Sequence, residues 1–408
     1  GVNDDRYYYI VDQGYEHLVP ENAIGFLVLP TIEKVSGNAD EGSIHSVVFK
    51  NFDGSTYATR KYATGGNPVG LEIIPDQKIG SFTLSHDGTF TTELPNGVQG
   101  GVTLVPNYTV NASLTGVKTN LSLHSDFGLN IFVPASYKEQ IVSVTCDKVE
   151  GEVVGVDTVY NGSNFIVYTV PVPANELAES IVFNVTLKDE SNADLGTLEG
   201  SESITVSFVS YAEKILANAG AFYDEADRTM LWYVVNYANE AYKYFGGEAH
   251  TELARLLTEY ADAKNASERV YLNVLDNTGL DAVFTAATLR LNEVPAYTFT
   301  VKAGFAGTVT VTTTAGTYTF TVEASETPKK LVIEGMKAYE LSETAAITAE
   351  GTIGDSAVVV DAGQFNLATF ASYHANNVEA SEASAAAIDL INALYDYVTE
   401  ANIYAISK

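Results

Sequence analysis

Six histidines, at positions 17, 45, 86, 124, 250 and 374, are the first side chains to test for chemistry. None forms His-Glu-x-x-His or any other spacing that sets two imidazoles on one helix face, so a zinc hydrolase is not expected. His124-Ser125-Asp126 carries the letters of a hydrolytic triad. Consecutive residues on a strand point to opposite faces, however, and cannot relay a proton. No Gly-x-Ser-x-Gly elbow occurs. Gly97-Val-Gln-Gly-Gly101 lacks the lysine of a phosphate loop. A carboxylate pair for glycoside hydrolysis would need a sugar cleft. The chain has a single tryptophan, Trp232, beside Tyr233 on a helical stretch, and so no tryptophan-lined cleft. Asp276-Asn277-Thr278-Gly279-Leu280-Asp281 is oxygen-rich and makes Asp276 and Asp281 candidate calcium ligands. It lacks the alternating acids and distal Glu of an EF-hand, so it reads first as a turn. Calcium is the one cofactor to consider, and no enzymatic activity is expected.

The charge points the same way. Asp and Glu total 52 against 22 Lys and Arg, a formal net charge of −30. A field of that sign repels phosphate backbones and excludes nucleic acid as an expected partner. Cys146 is the only cysteine, which rules out an internal disulfide framework and a thiolate metal site. Such usage suits export by a Gram-positive bacterium better than a eukaryotic secretory route. The start at Gly1 is read as a mature secreted form whose signal peptide has been removed. Asn107, Asn111, Asn120, Asn161 and Asn184 head Asn-x-Ser/Thr triplets, read as incidental in a Thr- and Asn-rich β sequence. No stretch approaches the roughly 18 apolar residues of a membrane span, so no transmembrane segment is expected.

The elements that must position these residues are mostly strands. Arg6–Val11, Ile24–Leu29 and Ser43–Phe49 are β-branched or aromatic runs, with Asp53-Gly54 and Asp87-Gly88 as hairpin-type turns. Strand patterns continue at 120–123, 129–133, 165–170 and 181–187, and again, rich in Thr, at 297–301, 307–312 and 317–322. Between them the period changes. Met230, Val234, Tyr237, Ala241 and Tyr244 recur at helical spacing, with a shorter helix at 211–218 and another after Thr251. Helices return at 367–380 and 383–405.

That return is the mark of a duplication. Phe208-Val-Ser-Tyr211 matches Phe370-Ala-Ser-Tyr373, and Asn236-Tyr237 with Tyr244 matches Asp396-Tyr397 with Tyr404. Val133-Pro134-Ala135 matches Val294-Pro295-Ala296, and Glu176-Leu-Ala-Glu179 matches Glu340-Leu-Ser-Glu343. Four matches in one order at nearly one offset imply two copies of a sheet-plus-helix-pair unit. The fold class is therefore multidomain α+β. A β domain at 1–111 precedes a first unit at 112–275, with helices at 208–264, and a second at 276–408, with helices at 367–405. Tyr211, Tyr237, Tyr244, Tyr373, Tyr397 and Tyr404 are read as helix-packing residues, their rings on a sheet or neighbouring helix and their hydroxyls near an edge.

The run Thr119–Leu123 with Leu129–Pro134, then Ser210–Ala212, Asn236–Ala238 and Tyr244-Phe245, resembles a module of large surface proteins of clostridia-like anaerobes. The closing Ala393–Tyr397 and Tyr404 resemble the end of that module, so the likeness spans about 112–408. It implies a secreted or cell-surface setting. Separately, Ser46–Gly54 through Gly65-Gly66 and Pro68 resembles the internalin-type B-repeat, a small β-grasp-like stalk module. No wall-sorting signal follows Tyr404, so anchoring by that route is not expected.

Two readings follow. In the first, the chain is a non-catalytic extracellular structural protein whose partner is itself, a subunit of a filament, tube or layer. Tyr7, Tyr8, Tyr9, Ile10 and Val11 would then form a strand added to a neighbour's sheet edge. In the second, it is an adhesin or carbohydrate-binding protein that grips a glycan or host surface through exposed aromatics near Tyr57–Tyr62 or Tyr7–Tyr9.

Overall fold

In the computed structural model, the described residues are 8–12, 25–29, 44–64, 73–92, 98–123, 127–192, 195–217, 222–265, 279–291, 295–314, 316–333, 336, 338–376 and 384–407. They form an α+β protein, predominantly sheet, with five α-helices among them. The chain divides into two compact bodies. One comprises residues 1–110 with 192–196, and the other 111–191 with 197–408.

The first body is all β. Strands β1 (Tyr8–Asp12) and β2 (Gly25–Leu29) pair in parallel, Tyr8 opposite Gly25. β3 (Ile44–Lys50) and β4 (Thr56–Ala63) form an antiparallel hairpin. Its Asp53-Gly54 turn closes as the sequence predicts: Gly54 has φ 82° and Asp53 accepts from the Ser55 amide at 2.9 Å. β5 (Gln77–Ile79) pairs with β6 (Phe82–Phe90), while β7 (Val102–Leu104) lies parallel to β3. β8 (Pro106–Ala112) is the next neighbour of β6. Asp87-Gly88 does not reverse the chain, contrary to its expected hairpin role. It lies inside β6, where Gly88 takes φ 89° and Asp87 accepts from the Thr89 amide at 2.8 Å, a local kink within one strand. Val47, Phe49, Phe82, Leu84, Val98 and Leu104 are fully buried as this body's core.

The second body holds both copies of the duplicated unit, and they share one topology. The first copy runs β9 (Lys118–Leu123), β10 (Phe127–Pro134), β11 (Ile141–Cys146), β12 (Val149–Glu152), β13 (Gly155–Tyr160), β14 (Ser163–Val172), β15 (Ile181–Asn192) and β16 (Gly196–Val206). Helices α1 (Phe208–Leu216), α2 (Glu225–Gly246) and α3 (Thr251–Glu259) follow. The second copy runs β17 (Phe284–Arg290), β18 (Ala296–Val301), β19 (Phe305–Thr313), β20 (Gly316–Val322), β21 (Lys329–Ile333), β22 (Ala345–Ile353) and β23 (Ser356–Phe365). It ends in α4 (Leu367–Asn376) and α5 (Ala385–Ser407).

Strand order β9-β10-β14 in the first copy recurs as β17-β18-β21 in the second. Likewise β12-β11-β15-β16 recurs as β20-β19-β22-β23. A short 3-10 turn precedes β15 and another precedes β22, at Ala174–Glu176 and Ala338–Ser342. These turns pack on α2 and α5 respectively, and they contain the matched Glu176 and Glu340. One strand has no counterpart: β13, at the free end of the order β13-β14-β10-β9.

The helix caps give the register of the duplication. Ser207 accepts from the Ser210 amide before α1, as Asn366 does from Thr369 before α4. Asp224 accepts from the Asp227 amide before α2, as Ser384 does from Ala387 before α5. Equivalent caps are thus 159 and 160 residues apart. Tyr237 and Tyr397 match in this register. The Phe-x-Ser-Tyr pair is displaced by about one turn, since Phe208 opens α1 whereas Phe370 follows Leu367 into α4. The Val-Pro-Ala pair is not equivalent either: Pro134 closes β10, but Pro295 precedes its counterpart β18.

Candidate functional site

The matched tyrosines lead to the contact between the two copies. Along α2, Met230 through Val235, then Tyr237, Ala238, Asn239 and Ala241, are buried, so this helix is covered nearly all round at its middle. A capping box holds its start: the Asp227 amide donates to Asp224 and the Asp224 amide to Asp227, each at 3.0 Å. Gly247, at φ 84°, ends it in the left-handed conformation.

Helix α5 runs antiparallel to α2. The Tyr237 and Tyr397 rings stack at 5.6 Å with an interplanar angle of 7°. Toward one end the Tyr404 hydroxyl donates to Asp227 at 2.8 Å. Between these points Tyr233 donates to Asn265 at 2.7 Å, and the Asn265 amide donates to Glu400. Tyr237 and Tyr397 are equivalent residues, so the two copies meet with the same residue from each side. Phe127 of β10 closes the cluster, its ring 6.1 Å from Tyr237 and 5.5 Å from Tyr397.

The rings of this cluster are packed away from solvent. Burial pushes the Tyr237 and Tyr397 phenols far above their ordinary range, and that of Tyr211 up to about 12. All three stay neutral at any working pH. The Tyr397 hydroxyl is buried with no hydrogen-bond partner. Tyr211 and Tyr404 line a cavity of about 470 Å³ together with Tyr223, Asp227, Met230 and Leu231. Its one carboxylate is engaged by the α2 cap and by Tyr404. The other two matched tyrosines lie outward: Tyr244 is 37% exposed, edge-on to Phe245, and Tyr373 is 51% exposed beside His374.

Glu400 is the one strained acid of the seam. Burial raises its carboxyl above the ordinary carboxylate range, the Asn265 amide opposes this, and Asp396 adds to it. A raised folded value means the carboxyl favours the fold below its unfolded value of 4.5 and loses that contribution as pH rises through the folded value. Glu400→Gln, which keeps an acceptor for Asn265, is therefore expected to raise the urea midpoint at pH 7 and to change it little at pH 4. The gain at pH 7 is on the order of 0.5 kcal/mol, since solvent screens a half-exposed group.

The other sequence candidates are dispersed. Tyr7, His17, His124-Ser125-Asp126 and Asp276 lie outside the described residues. Asp281 is exposed in the short turn Leu280–Ala282, and no group of three or more metal-ligating side chains occurs among the described residues. Tyr8, Tyr9, Ile10 and Val11 lie in β1, whose backbone pairs with β2 of its own chain. His86 accepts from the Ile74 amide at 3.2 Å, and its other ring nitrogen lies 2.8 Å from the Thr89 carbonyl, so its ring is held by the backbone on both sides. Burial of His374 lowers its pKa, and Cys146 is buried with its thiol pushed up. No described helix is long and apolar enough to cross a membrane.

Two features escape the sequence patterns. On one face of the sheet β13-β14-β10-β9, Asn130 is almost fully buried and donates to Asn120 at 2.6 Å and Ser122 at 2.7 Å, while Thr169 donates to it at 2.6 Å. An aromatic group of Phe132, Tyr160 and Phe165 lies on the same face, with the Lys118 ammonium 5.2 Å from the Tyr160 and Phe165 ring centres. The second feature is β13 itself. Among the described residues it pairs only with β14; Val156 and Val159 on it are 62% and 70% exposed, and Val154 just before it is 82% exposed. Comparing the two copies would have exposed this strand as an insertion between β12 and β14. The chain matches no known protein-family profile and no curated protein sequence.

Proposed function

We propose that this chain is a non-catalytic structural protein that assembles with copies of itself outside the cell, as a subunit of a surface filament, tube or layer. The observation that carries this reading is β13, a sheet-edge strand with exposed valines on it and beside it. An open edge offers unpaired amides and carbonyls to any passing strand, and folded monomers normally blunt it with charge, proline or a bulge. β13 carries one charged residue, Asp157, and that is paired with Lys138 at 2.6 Å. The neutral, packed tyrosines of the helix seam support the non-catalytic half of the reading. The high acidic charge suits solubility in an exported subunit.

Light scattering of the full chain over a hundredfold concentration range tests it. Mass that grows with concentration is the expected result; a monodisperse monomer throughout would overturn it. The second reading, a glycan-binding adhesin, is favoured by the neutral amide and hydroxyl face around Asn130 and by Tyr57, 40% exposed on β4. Glycan-array binding by a strictly monomeric chain would select that reading.

A further inference from the structure

The duplication supplies a template for what an open edge of this fold accepts. In the first copy the outer edge of β14 is covered by β13, antiparallel, with Val156 opposite Val167. In the second copy β21 occupies the equivalent position, next to β18 as β14 is next to β10. Nothing corresponding to β13 follows β20, and among the described residues β21 pairs only with β18. Among the described residues there is therefore a surplus strand at the edge of one sheet and no strand on the equivalent edge of the sister sheet.

We infer that β13 of one molecule pairs with β21 of a second copy of this chain. This rests on the assembly reading above and names its contact. Charge supports the match. β21 begins with Lys329 and Lys330, two adjacent exposed lysines in a chain of 52 acids and 22 bases. β13 carries no basic residue, and its one charged side chain, Asp157, is held by Lys138. Lysines on an edge repel a second basic edge and admit one without basic residues. Because the donor and acceptor edges differ, the contact is heterologous: each molecule keeps one free donor and one free acceptor. Addition then continues head to tail as an open polymer instead of closing at a dimer.

Two variants test the pairing. Val156→Lys blocks the donor, placing a cation opposite the acceptor lysines. The double variant Lys329→Glu, Lys330→Glu blocks the acceptor, and all three positions are exposed, so the fold is retained, checked by circular dichroism. Each variant alone is expected to remain monomeric in light scattering. An equimolar mixture is expected to associate where neither variant does alone, since each blocked molecule retains the edge the other lacks. Dimers from the acceptor-blocked variant alone would mean that β13 pairs with β13, which overturns the inference while leaving self-assembly standing. Undiminished polymers from either variant would overturn it as well. A wild-type chain that stays monomeric would fail the assembly reading itself, and the inference with it.

Discussion

Tyr397→Ala is expected to cost the second body about 3–5 kcal/mol, the usual scale for deleting a fully buried aromatic ring. The ring is 2% exposed, stacks on Tyr237 and touches Phe127, so its removal opens a void bordered by both copies. Tyr397→Phe is expected to behave oppositely. It removes a buried hydroxyl that has no partner, so urea unfolding should show no loss and up to about 1 kcal/mol of gain. Tyr244→Ala and Tyr373→Ala provide the contrast, because their rings are exposed and exposed positions shift stability by about 0.5 kcal/mol. Three residues that look alike in a repeat alignment should thus separate sharply in one series of unfolding curves.

Gly307→Val is expected to cost about 3 kcal/mol, the upper range for forcing volume into a packed site. Gly307 of β19 stands directly opposite Gly351 of β22. A methyl group on Gly307 would enter the Glu350 carbonyl and the Gly351 Cα; one on Gly351 would meet the Ala306 carbonyl and, at 2.8 Å, the Phe305 ring. Neither obstacle is a flexible side-chain end, so the backbone of a central strand pair must move. Unfolding by urea should show a lower midpoint for Gly307→Val. Gly316→Ala, on the open hairpin between β19 and β20, meets no neighbouring atom and should show only the cost of its φ of 153°. Equal midpoints for Gly307→Val and wild type would mean that the strands do not approach so closely.

The parts of this fold that sequence revealed are those with a strict local period. The alternation of Ile181, Phe183, Val185 and Leu187 makes β15 readable without tertiary information, and the three-and-four spacing of Met230, Val234 and Tyr237 does the same for α2. Turns were less legible. Asp-Gly at 53–54 and at 87–88 makes the same local hydrogen bonds, yet only the first reverses the chain. Whether two strands fold back there depends on which partner each finds.

β13 was unreadable because its valines do not mark a buried face. Three exposed valines on and beside an edge strand break the rule by which strands are recognised, and that departure is what made the strand informative. The repeat itself was visible, but its matches differed in meaning. Tyr237 and Tyr397 are equivalent and touch each other, whereas the Val-Pro-Ala pair falls at opposite ends of corresponding strands. Similarity of letters located the duplication. It did not indicate that the copies close on one another, because a contact between equivalent residues leaves no trace in spacing. The candidate site is legible to the same degree: helical spacing marks Tyr211, Tyr237, Tyr397 and Tyr404, but nothing marks the Asn130 cluster, since a nearly buried asparagine on a strand reads as a surface residue.

The two copies are held together by the residue they share. A double-mutant cycle between Tyr237→Ala and Tyr397→Ala, read from urea unfolding of both single variants and the double variant, tests it directly. The stack predicts that the double variant loses less than the two single losses combined, with a coupling of about 1 kcal/mol or more. Losses that add to within about 0.3 kcal/mol would contradict it, because independent sites add and stacked rings do not.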